Sequence, residues 1–192
     1  PWAMQKCQST KLHTMDVSIN RLCCDATCPK VQVVVFCVLL ELFMECTVTW
    51  TGAAGGKSAM GFVAETGSGH TLTMDGAPDA AKPENGGANL APRPMETVLA
   101  GTGGCTAYDV VLILKRGRHD VRGCSVKLSS ERADTDPKVF TKIHMHFTVS
   151  GKGLQAAVVE RAIAMSHDKY CSASIMLGKT ADITTSFELV EA

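Results

Sequence analysis

What most constrains this chain is the way its apolar spacing changes along residues 44–192. Cys46-Thr-Val48-Thr-Trp50 alternates apolar and polar, as a half-buried strand does, and Met60, Phe62 and Ala64 do the same. Thr66-Gly-Ser-Gly69 reads as a turn, after which His70, Leu72 and Met74 alternate up to the Asp75-Gly76 breaker. Residues 76–92, rich in Gly, Pro, Ala and Asn, read as a loop long enough to be mobile. Pro94 suits the first turn of a helix over about 94–100, with Glu96 at its positive end. Gly101, Gly103 and Gly104 weaken a continuous helix, so a second one is expected from near Cys105 to about Arg116. Its Val110-Val-Leu-Ile-Leu114 block is apolar on all sides, as in a helix buried through the middle of a fold.

Beyond it, Cys124, Val126 and Leu128 share one face of a strand, and Ile143, Met145, Phe147 and Val149 share one face of the next. Gly151-Lys-Gly153 ends this pair. Leu154 to Lys169 carries apolar residues at helical spacing, a short helix is expected over Cys171 to about Thr180, and Ile183, Thr185, Phe187 and Leu189 alternate in a last strand. The order β-β-β-α-β-β-α-α-β, with strands and helices in segregated runs, predicts an α+β fold, not a doubly wound parallel sheet.

The first 43 residues show no such period until the apolar run Val31–Phe43, too short for the ~20 residues of a membrane-spanning helix and lacking a signal-peptide layout. Residues 1–43 therefore read as an extension outside the functional polypeptide, which is expected to start at Met44, and no membrane partner is expected. Lysine plus arginine equals aspartate plus glutamate at 19 each, and the ten aromatic residues form no basic stripe, so nucleic-acid binding is not expected either.

Six of the nine cysteines fall within residues 1–46, leaving Cys105, Cys124 and Cys171 in the rest. Three widely spaced thiols make no secreted disulfide framework, and a reducing, cytoplasmic setting is expected. Cys23, Cys24 and Cys28 lack a partner pair at zinc spacing, and His144 and His146 lack a third ligand, so no metal is expected. The Gly-rich run 101–104 is not followed by residues in phosphate-loop order. Cys124 lies on an apolar strand face and reads as core. Cys105 and Cys171 each sit where a flexible stretch meets a helix-like one, and a thiol near a helix start faces unpaired N–H groups that favour the reactive thiolate. Such a pair suggests thiol redox chemistry; small buried packing residues are the alternative. Asp109, one turn beyond Cys105, would oppose thiolate formation unless paired with Arg93 or Arg122.

Ser-Gly-His-Thr-Leu-Thr-Met-Asp-Gly (68–76), Pro-Met-Glu followed by Gly-Gly-Cys (94–105) and Lys-Tyr-Cys-Ser (169–172), in this order, resemble the OsmC/Ohr family of osmotically induced and organic-hydroperoxide-resistance proteins, in its less characterised OsmC-like branch. The resemblance covers essentially all of 44–192. It implies an intertwined homodimer with two active sites at the subunit interface. It also implies reduction of organic hydroperoxides, with Cys105 as the attacking thiol, Cys171 as the resolving one, no bound cofactor and an external dithiol as reductant. Glu96 and Lys57 are the nearest counterparts of the glutamate and arginine that assist the peroxidatic members. Met95, however, stands where their glutamate is, and lysine lacks the two-pronged donor of arginine. Those departures keep a second reading open: a non-catalytic dimer binding a hydrophobic small molecule in the same interface pocket.

Overall fold

The computed structural model of the chain describes residues 44–52 and 58–192. The expectations for residues 1–43 and for Lys57 lie outside them. Among the described residues, six strands and three α-helices follow the expected order: β1 (Cys46–Trp50), β2 (Phe62–Thr66), β3 (Thr71–Met74), α1 (Pro94–Arg116), β4 (Asp120–Arg132), β5 (Phe140–Lys152), α2 (Ala156–Met165), α3 (Ser172–Leu177) and β6 (Asp182–Glu191). They form two three-stranded sheets, β1-β2-β3 and β4-β5-β6.

The first sheet is an antiparallel meander in which Val48 faces Ala64, Trp50 faces Phe62, Phe62 faces Met74 and Ala64 faces Leu72. Since directly opposed residues share a face, those six side chains make one apolar surface. The turn into β3 closes through Thr66 N–H donating to His70 O at 2.9 Å, with Gly69 at φ 81, a conformation glycine adopts without strain.

The loop after β3 is tied down, contrary to the mobility its composition suggests. The buried Asp75 carboxylate accepts hydrogen bonds from the Ser58 hydroxyl and from the N–H groups of Gly76 at 2.7 Å, Ala88 at 3.1 Å and Leu90 at 2.9 Å. Gly87 passes so close to Gly76 that a Cβ on it would lie 2.1 Å from the Gly76 carbonyl oxygen. These donors, the Ser58 hydroxyl foremost, hold the Asp75 carboxyl below the usual aspartate range.

In the second sheet β4 and β5 form a long antiparallel hairpin, and β6 joins β5 in parallel. A parallel neighbour demands a crossover, and α2, α3 and the turn between them supply it. Ile143, Met145, Phe147 and Val149 of β5 are buried in one cluster with Val110 and Leu114 of α1 and Val159, Ala162 and Ile163 of α2. On the opposite face, His144 and His146 both bond the Ser186 hydroxyl at 2.8 Å, the polar strand face their spacing indicated. Cys124 packs half-buried against the core, and burial pushes its thiol pKa up.

The central helix differs most from the sequence expectation. Residues 94–116 form one unbroken helix of 23 residues. The glycines do not interrupt it because packing supplies a reason for one of them: a Cβ on Gly103 would lie 2.5 Å from Leu128 Cδ1, so its absence lets α1 close onto β4. Side chains at Gly101 and Gly104 would meet nothing within 4 Å. Burial is also one-sided. Val110 and Leu114, one turn apart, are fully buried, whereas Val111, Leu112 and Ile113 between them are only partly so. By length and composition alone α1 would suffice to cross a bilayer, but the side bearing Val110 and Leu114 is packed into the sheet core.

Candidate active site

Because α1 is continuous, Cys105 sits in mid-helix, three turns from the N-terminus, and is out of reach of the unpaired N–H groups at the start of its own helix. The expectation of a helix-start thiol is therefore corrected for Cys105. Cys171 does occupy such a place. After α2, residues Ser166–Tyr170 form a wide π turn closed by Cys171 N–H donating to Ser166 O at 2.8 Å, so the regular helix expected to Lys169 ends at Met165. That extra width swings the chain so that Cys171 becomes the N-cap of α3. Its sulfur accepts from Ser174 N–H at 3.4 Å and from the Ser174 hydroxyl at 3.2 Å. Cys171 is fully buried, Cys105 only partly.

The two sulfurs and a carboxylate oxygen of Asp109 all lie within 4.8 Å of one another. Asp109 joins them because it stands four residues after Cys105, on the same side of α1. Its Oδ2 accepts from the Ser166 hydroxyl at 3.1 Å, and Ser166 Oγ is also 3.0 Å from Thr106 Oγ1, so a small polar network underlies the thiols. Neither arginine suggested by the sequence pairs with Asp109: Arg93 caps α1 through its N–H to Glu96 Oε2 at 2.9 Å, and Arg122 pairs with Asp120 at 3.0 Å.

The electrostatics oppose the sequence expectation of a readily formed thiolate. Burial, above all, pushes the Cys105 thiol pKa up. Its hydrogen bond with Cys171 and the negative charges of Cys171 and Asp109 add to this, against a backbone N–H of Ala173 that acts the other way. Glu96 does not join the cluster within one chain. It is spent on the helix cap and lies nine residues before Cys105, about 13 Å along the axis. His167, close to Cys171 in sequence, has a buried Nδ1 without a hydrogen-bond partner. Thr106, Ser166 and Ser174 are site residues that sequence reasoning missed. A small hydroxyl residue carries no signal of its own, and Ser166 meets Thr106 and Asp109 only through the packing of α2 and the following π turn on α1.

Cys105, Asp109 and Cys171 offer a metal ion two sulfurs and an oxygen. As a redox pair the sulfurs are close enough that a shift of no more than about 3 Å would bring them to disulfide distance.

Residues 86–186 match the family model for OsmC-like protein. The chain is 45% identical over 149 residues to Protein YhfA of Escherichia coli (strain K12), covering 78% of this chain and all of that one. Among solved structures, a hypothetical protein from Aquifex aeolicus VF5 superposes with a TM-score of 0.62 at 25% identity, over 78% of this chain and 98% of its own. An organic hydroperoxide resistance protein from Legionella pneumophila shares the fold with a TM-score of 0.54 at 19% identity, over 76% and 96% of the two chains. The chain belongs to the OsmC-like family.

Proposed function

From its place in the OsmC-like family, we propose that this chain is a thiol-dependent peroxidase that reduces organic hydroperoxides through Cys105 and Cys171. The carrying observation is the approach of the two sulfurs, sixty-six residues apart in sequence, to within 4.8 Å. One relative in fold bears the name of organic hydroperoxide resistance, which indicates the substrate class.

Of the two thiols Cys105 is the more accessible and attacks first. It gives up its proton, and its sulfur takes the terminal oxygen of ROOH, breaking the O–O bond; the alkoxide RO⁻ gains a proton and leaves as ROH. Asp109, whose carboxylate oxygen lies within 4.8 Å of the sulfur, takes the thiol proton after a small movement and returns it to the alkoxide. Cys171 then attacks the Cys105 sulfenic acid, forming a disulfide and expelling water. An external dithiol reduces the disulfide by exchange and is itself oxidised, and no bound cofactor takes part. The raised Cys105 pKa gives this cycle a slow attacking step at neutral pH, and activity should rise with pH as the thiolate forms.

The apolar face of the first sheet supports an intertwined homodimer. Val48 and Trp50 are 56% and 52% exposed, and Tyr108 of α1, beyond the unfilled space at Gly101 and Gly104, is 68% exposed. A second copy would cover both surfaces and narrow the entrance to Cys105. A cytoplasmic location fits two thiols that must be reduced to start the cycle. The raised Cys105 pKa, with Glu96 committed to a cap, favours the second reading in one respect: a dimer slow at the thiol step would keep its interface for binding a hydrophobic small molecule.

The decisive assay gives the protein dihydrolipoamide and tert-butyl hydroperoxide and follows peroxide loss. Turnover that Cys105→Ser abolishes and Cys171→Ser reduces to a single oxidation supports the peroxidase. No turnover, with both thiols verified as reduced, leaves the binding reading.

A further inference from the structure

We infer that Cys105, Asp109 and Cys171 form a binding site for a thiophilic divalent cation of the zinc type. The ion site stands on the donor atoms alone and does not need the peroxidase reading. Zinc holds sulfur at about 2.3 Å and carboxylate oxygen at about 2.0–2.2 Å in a tetrahedron, so neighbouring donors sit about 3.3–3.8 Å apart. Donors already within 4.8 Å of one another need to close by only about an ångström.

The surroundings are built as a metal site requires. Two of the three donors are oriented by a second group that leaves them a free lone pair. Ser174 donates twice to the Cys171 sulfur, at 3.4 and 3.2 Å, and Ser166 donates to Asp109 at 3.1 Å. Outer donors of this kind fix the ligands and share the charge of bound thiolates. They come from the π turn and from the first turn of α3, so the same backbone that buries Cys171 also arranges its partners. Two sulfurs exclude hard cations such as magnesium and calcium, which take oxygen ligands. Three protein ligands with Cys105 partly open leave a fourth position for water, the pattern of an accessible rather than a closed zinc site. Binding replaces both thiol protons with one ion and releases them to solvent. The ion and a hydroperoxide then compete for the same sulfur, so the metal would shield the reduced pair from oxidation.

The test uses the full chain and a residue-resolved readout, because the chain has nine cysteines and bulk zinc uptake would not say which of them hold the ion. Iodoacetamide modification of Cys105 is timed by peptide mass spectrometry across a series of chelator-buffered free Zn²⁺ concentrations. Saturating zinc should slow Cys105 modification at least tenfold, and EDTA should restore it. In Cys171→Ser and in Asp109→Asn the free zinc needed for half protection should rise at least tenfold. Ser166→Ala, which keeps all three ligands, should raise it by about tenfold through the lost outer donor. A Cys105 rate that zinc leaves unchanged in the reduced wild type overturns the site, as does protection that survives unaltered in Cys171→Ser. Zinc protection without peroxide turnover would remove the peroxidase and leave the ion site; turnover without protection would do the reverse.

Discussion

In the second sheet, Ile143, Met145, Phe147 and Val149 are buried beside apolar residues of α1 and α2, while in the first sheet Val48 and Trp50 keep over half their surface in solvent. Both sheets carry the same alternation of apolar and polar residues. The difference is that, among the described residues, the second finds its cover and the first leaves Val48 and Trp50 largely open. An alternating strand thus announces that one face will be buried without saying by what. Helix α1 lies between the two cases, with Gly103 pressed on β4 and Gly101 and Gly104 facing unfilled space.

The largest effect should come from the covered side. Phe147→Ala, at the centre of the second sheet's core, should cost ~3–5 kcal/mol in denaturant unfolding, independent of protein concentration. Gly103→Val should cost ~1–3 kcal/mol, since its side chain meets Leu128, and pairing it with Leu128→Ala should recover part of that loss. On the open side, Trp50→Ser should leave the dissociated chain almost as stable. It should weaken the proposed dimer at least tenfold in sedimentation equilibrium; equal dimerisation would show that the first sheet is covered in some other way. Gly104→Ala should stabilise the isolated helix by ~0.5–1 kcal/mol yet weaken association if a partner helix packs there. The smallest effect belongs to the loop fastened by Asp75. Its carboxyl is held below the aspartate range by the Ser58 hydroxyl and three N–H groups, so its contribution is complete above the unfolded value of about 3.9 and is lost as pH falls through the lower folded value. Amide exchange at Ala88 and Leu90 should accelerate in that acid window, and Asp75→Asn should produce the same acceleration at neutral pH.

Most of the architecture was legible because it rests on period. Six strands of period two and the helical spacing of α2 are properties of the local sequence, and the order of elements followed from them. The break assigned between Pro94 and Arg116 was not real, because helix propensity counts each glycine as a cost and cannot see Leu128 pressing on Gly103. The loop over 76–92 misled in the same way: its composition says flexible, but one buried carboxylate with four donors holds it. At the site, Asp109 could be placed beside Cys105 from helical spacing alone. The approach of Cys171 could not, since it depends on the crossover and on a five-residue π turn without a sequence signature. Ser166 was invisible for that reason. The raised thiol pKa was legible only in part: the opposition of Asp109 follows from helical spacing, whereas burial and the approach of Cys171, sixty-six residues away, do not.

The central question is whether Cys105 and Cys171 act as one redox pair. The reduced protein is treated with one equivalent of tert-butyl hydroperoxide, quenched by alkylation and mapped by non-reducing peptide mass spectrometry. The predicted result is a single peptide pair joined through Cys105 and Cys171, formed within one chain and reversed by dihydrolipoamide. Oxidation of Cys105 to sulfinic acid with Cys171 still a free thiol, or a disulfide that leaves both residues out, would contradict it.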